Sequence, residues 1–366
     1  MVRLYLVKGS DQNQPALVST ITLETYIEVD HRLRAIRKIV NQILAECEAE
    51  FTQMYARTGR PSIAPEKLLR ALLVMVLYSI RSERQLMEQI RYNLLFRWFV
   101  GLDADEAVWD PSTFSENRER LLDGAAARMF FEGVLAHAKL KQYMSEDHFT
   151  VDGTLLEAWA SQKSFRPKDE PTDPPEGGGS NPDVDFKGQK RSNDTHQSTS
   201  DPESRMARKG EGKEAKLSYS GNVLMENRNG LVVDASVVKV EGNHEVNASI
   251  SMLEQHVGPG STVGADKLYD QRDFVGACKE FGITAHVAQN DKNRRSCIDG
   301  RTTKTPGYET SQKIRKRIEE VFGWMKTVGG LRKLRYRGQR KVDWIFLFCS
   351  AAFNLVRITN IEAKAV

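Results

Sequence analysis

Two short runs of similar make constrain this chain more than anything else in it. Phe149-Thr150-Val151-Asp152-Gly153 and Thr262-Val263-Gly264-Ala265-Asp266 are apolar or β-branched segments, and each delivers an aspartate. Runs of this kind suit strands of a buried sheet, and in open α/β sheets the functional groups gather at strand ends. The two aspartates are 114 positions apart (266 minus 152), so the sheet is assembled from distant segments. An aspartate after a strand is more often a turn or cap residue than a ligand, which leaves either one weak alone.

The rest of the chain supplies the other layers. Residues 1–145 read as mostly helical. His31 to Ala56 is a long amphipathic pattern closed by Gly59-Arg60-Pro61, and a helix from Pro65 to about Tyr78 follows. Ser82-x-x-Gln85 and Thr113-x-x-Glu116 are capping-box patterns that open two more. Between Ser161 and Lys213 there is no Leu, Ile, Trp or Tyr, so the segment is expected to be a mobile insert. Leu217–Glu226 and Leu231–Val240 read as strands joined by the turn signal Asn227-Arg228-Asn229-Gly230. A helix over 247–257, the Asp266 strand, a helix near 273–281 and a strand over 283–288 complete the order β-β-β-α-β-α-β-α. That order predicts an α/β mixed sheet flanked by helices over 146–366, preceded by an all-helical N-terminal domain.

Near the C-terminus the pattern predicts a helix from Glu309 to Thr327. Arg315, Glu319 and Lys326 follow at spacings of four and seven, on a face separate from the apolar stripe Ile314, Ile318, Val321, Met325 and Val328. From Lys313 to Lys341 there are eleven Lys or Arg residues against two acids, Glu319 and Glu320. An ordinary amphipathic helix with an Arg–Glu pair would look the same. Together with Asp152 and Asp266, however, Glu319 makes a trio of carboxylates able to hold two Mg²⁺ ions and leave positions for phosphate and water.

The block Arg81–Leu102, Asp110-Pro111-Ser112-Thr113-Phe114-Ser115, Asp152-Gly153-Thr154 and, within the block 315–333, Arg315-x3-Glu319-x6-Lys326 occur in that order. In these features the chain resembles the DDE transposases of bacterial insertion sequences, in the four/five type whose signature is Y-x2-R-x3-E-x6-K. The resemblance runs from about residue 25 to 358 and departs at one place: Gln312 stands where the signature has Tyr, and Tyr308 lies four residues earlier.

The resemblance implies a ribonuclease-H-like catalytic domain with Asp152, Asp266 and Glu319 as catalytic and metal-binding residues. It implies two Mg²⁺ ions per site, with Mn²⁺ able to substitute. The reaction would be cleavage at terminal inverted repeats and strand transfer into target DNA. Arg315 and Lys326 would grip phosphates, with Arg332, Lys333, Arg335 and Arg337, while Arg118 and Arg120 belong to an N-terminal DNA-binding and dimerisation domain. The implied partner is double-stranded DNA, bound by a homodimer, in the cytoplasm and on the nucleoid. Two alternatives stay open: a catalytically inactive descendant that only binds DNA, and a ribonuclease-H-like nuclease.

Composition fits this reading. The net charge of +4 is modest, so the basic character is local, and 40% hydrophobic residues in 366 suffice for a sizeable core. Cys47, Cys278, Cys297 and Cys349 have no C-x-x-C spacing, which argues against a zinc ribbon and a disulfide framework. No signal peptide is expected. Leu68–Ile80 and Val342–Ile358 read as buried helices rather than membrane spans. Trp324 is expected in the core more readily than against a base, and His148 and His244 as ordinary polar residues more readily than as metal neighbours.

Overall fold

The computed structural model describes residues 22–54, 62–123, 125–168, 192–210, 212–291 and 294–365. The N-terminal part is helical throughout: α1 (Leu23–Tyr26), α2 (Arg32–Glu46), α3 (Glu48–Met54), α4 (Pro65–Leu77), α5 (Glu83–Tyr92), α6 (Leu94–Val100), α7 (Pro111–Asp123) and α8 (Ala126–Leu140). Ser82 caps α5 as its motif predicts, its Oγ accepting from Gln85 N at 3.1 Å. The start of α7 differs from expectation. Asp110, not Thr113, holds the first turn by accepting from Ser112 N at 2.8 Å, because Pro111 is already helical and needs no donor partner. The long helix expected from His31 breaks at Cys47 into α2 and α3, and residues 55 and 56 lie outside the described residues.

The chain continues with β1 (His148–Glu157), β2 (Phe165–Pro167), β3 (His196–Ser198), β4 (Arg205–Ala207), β5 (Lys216–Glu226), β6 (Val232–Lys239), α9 (His244–His256), β7 (Thr262–Ala265), α10 (Arg272–Glu280) and β8 (Thr284–Val287). All the strands but β2 and β3, which pair only with each other, form one six-stranded sheet. β5 is antiparallel to β1 on one side and to β4 and β6 on the other, whereas β7 and β8 continue parallel from β1. This is the expected mixed sheet. Its tight β5–β6 turn forms around the buried Glu226 carboxylate, which accepts the N–H groups of Arg228, Asn229 and Leu231 at 2.9–3.1 Å. The insert expected over 161–213 is not structureless at its margins. β2 pairs with β3, β4 joins the main sheet, and Asp201 accepts from Tyr219 Oη at 2.7 Å; residues 169–191 lie outside the described residues.

The chain closes with α11 (Gly300–Thr303), α12 (Pro306–Ile314), α13 (Ile318–Thr327) and α14 (Gln339–Ala365). α14 is long and apolar enough to cross a membrane by length and composition, yet most of it is buried inside the protein. Its polar residues have work within the fold. Asn354 exchanges two hydrogen bonds of 2.8 Å with the backbone of Val232, and Asp343 accepts from Val237 N at 2.7 Å. Edge strand β6 thereby has three of its free backbone groups covered. One apolar cluster joins the N-terminal helices, α13, α14 and one face of the sheet; a second joins the other face to α9 and α10.

Candidate active site

The register of β1 and β7 sets the centre of the site. The parallel ladder pairs Thr150 with Gly264, and two residues further on each strand stand Asp152 and Asp266. They therefore sit side by side, on neighbouring strands about 5 Å apart. Only Asp266 stands at a strand end; Asp152 lies in the middle of β1, which runs on to Glu157 because β5 continues to pair with it. β7 stops at Ala265, so β1 has an open edge on that side from Asp152 until Lys333 bridges to Glu157. Asp152 Oδ1 accepts from Gly153 N at 2.8 Å. Burial, reinforced by the charges of Asp266 and Glu319, pushes the Asp152 carboxyl up to about 6, against the opposing pull of Gly153 N–H and Arg315. Asp266 also caps the turn that follows it, accepting from Leu268 N at 2.7 Å, so the cap role and the site role coincide in one side chain.

Glu319 arrives from a different local structure than the pattern predicts. The helix expected over 309–327 is interrupted: α12 ends at Ile314, a 3₁₀ turn spans Arg315–Arg317, and α13 begins at Ile318. The charges explain the break, since Lys313 and Arg315–Arg317 suit the negative end of α12 while Glu319 and Glu320 suit the positive start of α13. α12 lies over β7 and β8, and α13 lies over β1. Gly264 permits this approach: a Cβ there would stand 2.9 Å from Ser311 Oγ and 3.2 Å from Arg315 Cβ. Glu319 is exposed at the start of α13, and its charge reaches Asp152.

Gln312 takes on a definite task where the signature has Tyr. Its Nε2 donates to His286 O at 2.5 Å on β8, and its Oε1 accepts from Arg315 Nε at 2.9 Å. It thus links the arginine to the sheet. Tyr308, one turn earlier, donates to Val287 O at 2.9 Å and fastens the same helix to the same strand. Lys326 donates to Thr154 Oγ1 at 2.5 Å, two residues beyond Asp152. Burial holds the Lys326 ammonium below its usual pKa, and the neighbouring charges of Lys209 and Arg332 add to that.

The other cations divide sharply. Arg332 and Lys333 are exposed, and Lys333 lies 3.6 Å from Glu157 and 5.6 Å from the ring of Trp159. Arg337 donates to Trp159 O at 3.2 Å, and Arg335 donates to Ile80 O at 3.0 Å, tying the basic run to the N-terminal helices. Arg120 is exposed on α7. Arg118, expected on a DNA-binding face, is instead turned into the protein. It is 8% exposed, paired with Glu83 and Glu119 and stacked on Tyr336, because a buried guanidinium is stable only when its charge is met by carboxylates.

Trp324 packs edge-on against Phe353 at 5.7 Å and belongs to the core. His148 is held between Ser311 Oγ at 2.7 Å and Asn227 Nδ2 at 3.0 Å, and burial pushes its pKa down to about 4. His244 is turned to Gly242 O at 3.3 Å, so neither histidine points to a metal role.

Two residues at the site escaped the sequence reading. Lys209 lies on the margin of the insert, where low apolar content obscured it. Glu245, on the first turn of α9, carries a carboxyl pushed up to about 7 by burial and by the charges of Asp152 and Asp266. The sequence signal was present in Gly242-Asn243-His244-Glu245-Val246, where the histidine drew notice and the adjacent acid did not.

Among the described residues no three His, Cys, Asp or Glu side chains stand close enough to hold one ion as they are placed. The donor chemistry nonetheless fits a hard divalent cation. The site offers carboxylates without thiolate or imidazole, and the burial that raises Asp152, with the repulsion from Asp266 and Glu319 that adds to it, is what a cation would offset.

Residues 146–355 match the family described as Transposase DDE domain, and residues 21–120 match a second, described as Transposase domain (DUF772). No curated protein matches. Among solved structures, a piggyBac transposase synaptic complex with hairpin DNA is 10% identical, covers 92% of this chain and 77% of its own, and has a TM-score of 0.43. A Mos1 transposase paired-end complex with the left transposon end is 11% identical, covers 80% and 89%, and has a TM-score of 0.20.

Proposed function

We propose a residue-level mechanism on one premise: this chain belongs to the DDE transposase family, whose domain spans more than half of it. It is accordingly a transposase, an enzyme dependent on divalent metal. The finer reading is Mg²⁺, two ions per site, with Asp152, Asp266 and Glu319 as the ligands. Bound there, the cations would activate water or a DNA 3′-hydroxyl for in-line attack on a phosphodiester and stabilise the leaving oxygen. The observation that carries this is the register that sets Asp152 beside Asp266 at the open edge of β1, with Glu319 close enough to act on Asp152.

The chain's own residues do the rest. Arg315, oriented by Gln312, sets a positive charge next to Asp152 and is placed to meet a phosphate. Lys326, Lys209 and Arg332 form a basic cluster beside Thr154, and Lys333 and Arg337 extend it around the exposed ring of Trp159. An exposed indole flanked by cations suits an unpaired base and its phosphates. The substrates are terminal inverted repeats and target DNA, engaged by a homodimer of the insertion-sequence four/five type in the bacterial cytoplasm. No serine, cysteine or tyrosine nucleophile is required.

The test is Mg²⁺-dependent cleavage of a duplex carrying the inverted repeats that flank the gene. Wild type should nick at the repeat end, and Asp152→Asn should lose cleavage by about three orders of magnitude or more, the scale of losing an essential catalytic group. DNA binding should persist. Cleavage by Asp152→Asn at a rate near wild type would end this assignment.

A further inference from the structure

We propose that Glu245 is a fourth carboxylate of the metal site, ligating beside Asp152 and Asp266 from the opposite layer of the sheet. The inference rests on the metal-dependent reading above. Thr150 and Asp152 look toward the layer of α12 and α13, whereas Phe149 and Val151 look toward α9 and α10. Glu245 belongs to that second layer, yet its carboxylate crosses to the β1 backbone where β7 has ended and the edge is open. There it lies on Gly153. A Cβ at Gly153 would stand 1.9 Å from Glu245 Oε1, 2.4 Å from Cδ and 2.5 Å from Cγ, so only glycine admits the side chain.

An acid in the first turn ordinarily serves the free N–H groups of its own helix. Asn243 at the head of α9 makes no side-chain capping bond, so those groups were available to Glu245. The carboxylate instead lies against Gly153, whose N–H is donated to Asp152 and lowers the Glu245 carboxyl less than burial and the neighbouring acids raise it. Among the described residues no ion pair neutralises Glu245, and the charges that act on it are those of Asp152 and Asp266. A half-buried carboxylate faced only by like charges calls for a cation, and one backbone N–H does not replace it. α9 also follows β6 directly, so the acid is placed by a rigid element rather than by a loop.

The test uses the full chain, stripped with EDTA and without DNA. Mn²⁺ is titrated and the free ion is followed by electron paramagnetic resonance; thermal unfolding in EDTA is measured in parallel. Glu245→Gln should weaken Mn²⁺ binding on the order of tenfold or more, the scale of removing a tuning carboxylate, with its metal-free Tm no lower than wild type. Gly153→Ala should weaken binding comparably with Glu245 still present, because the added methyl expels it. Asp152→Asn should weaken binding at least as much as either.

If Asp152→Asn loses Mn²⁺ while Glu245→Gln and Gly153→Ala bind within twofold of wild type, Glu245 is a structural cap and this inference alone falls. If wild type takes up no Mn²⁺, the metal-site reading and this inference fall together.

Discussion

Asp152 is costly to the fold, and that cost can be measured apart from the catalytic role proposed for it. Burial and the charges of Asp266 and Glu319 keep its carboxyl protonated up to about pH 6, and Glu245 stays protonated to about 7. In the unfolded chain these groups ionise near 3.9 and 4.3. Between those values and 6–7 the folded protein therefore binds more protons than the unfolded one, so their contribution to stability falls as pH rises through that window and is flat above it. Replacing Asp152 with Asn removes its share of the cost, on the order of 1–3 kcal/mol at pH 8. In EDTA, Asp152→Asn should melt a few degrees above wild type at pH 8 and with it at pH 4. A variant that melts below wild type at pH 8 would show that the acid is not under the strain described. The sequence revealed Asp152, Asp266 and Glu319 because each sits in a short readable pattern. Glu245 was hidden because its partner, Gly153, is distant in the chain and its own helix position looks ordinary.

At the level of elements, the strands were legible and the C-terminal helix was misread in an instructive way. β5, β6, β7 and β8 fall within a residue or two of expectation because their apolar and β-branched runs are bounded by turns such as Asn227–Gly230. The continuous helix over 309–327 failed because periodicity is blind to end effects: three adjacent cations and two adjacent acids favour one helix ending and another beginning. β2 and β3 were unreadable since each is three residues long and its partner lies far along the chain, and β4 because three residues such as Arg205-Met206-Ala207 carry no strand pattern of their own. The break matters to function because α12 must lie close on β7 for Arg315 to reach Asp152, and Gly264 is what allows it. Gly264→Ala forces a methyl against Ser311 Oγ and Arg315 Cβ, with a cost of about 1–3 kcal/mol from overpacking. Cleavage should fall more than binding to the repeat duplex, since the displaced group is at the reacting centre and most cations are not. Equal loss in both assays, or no loss in either, would show that the close approach of α12 is not what positions the arginine.

For the whole molecule, the question is whether the helical part and the sheet are separable. α14 packs against α8, α2 and α4 on one side and against β6 and β5 on the other, within a single apolar cluster. Asp234 of β6, 5% exposed, binds Arg128 of α8 at 2.7 Å and His256 at the end of α9 at 3.3 Å. Three layers therefore meet on one carboxylate. Arg128 is itself more than a third exposed, so solvent screens part of that pairing, and Asp234→Asn should cost roughly 1–2 kcal/mol rather than the full value of a buried pair. A joint of this kind predicts one cooperative transition. Far-UV circular dichroism reports chiefly the helices, while tryptophan emission draws on Trp98 and Trp109 in the helical part and Trp159, Trp324 and Trp344 in the rest. The two midpoints should coincide in wild type and shift down together in Asp234→Asn. Were the helical part an independent module, the variant would split the curves, with one probe moving and the other staying. The shared core formed by α14 argues that they move as one.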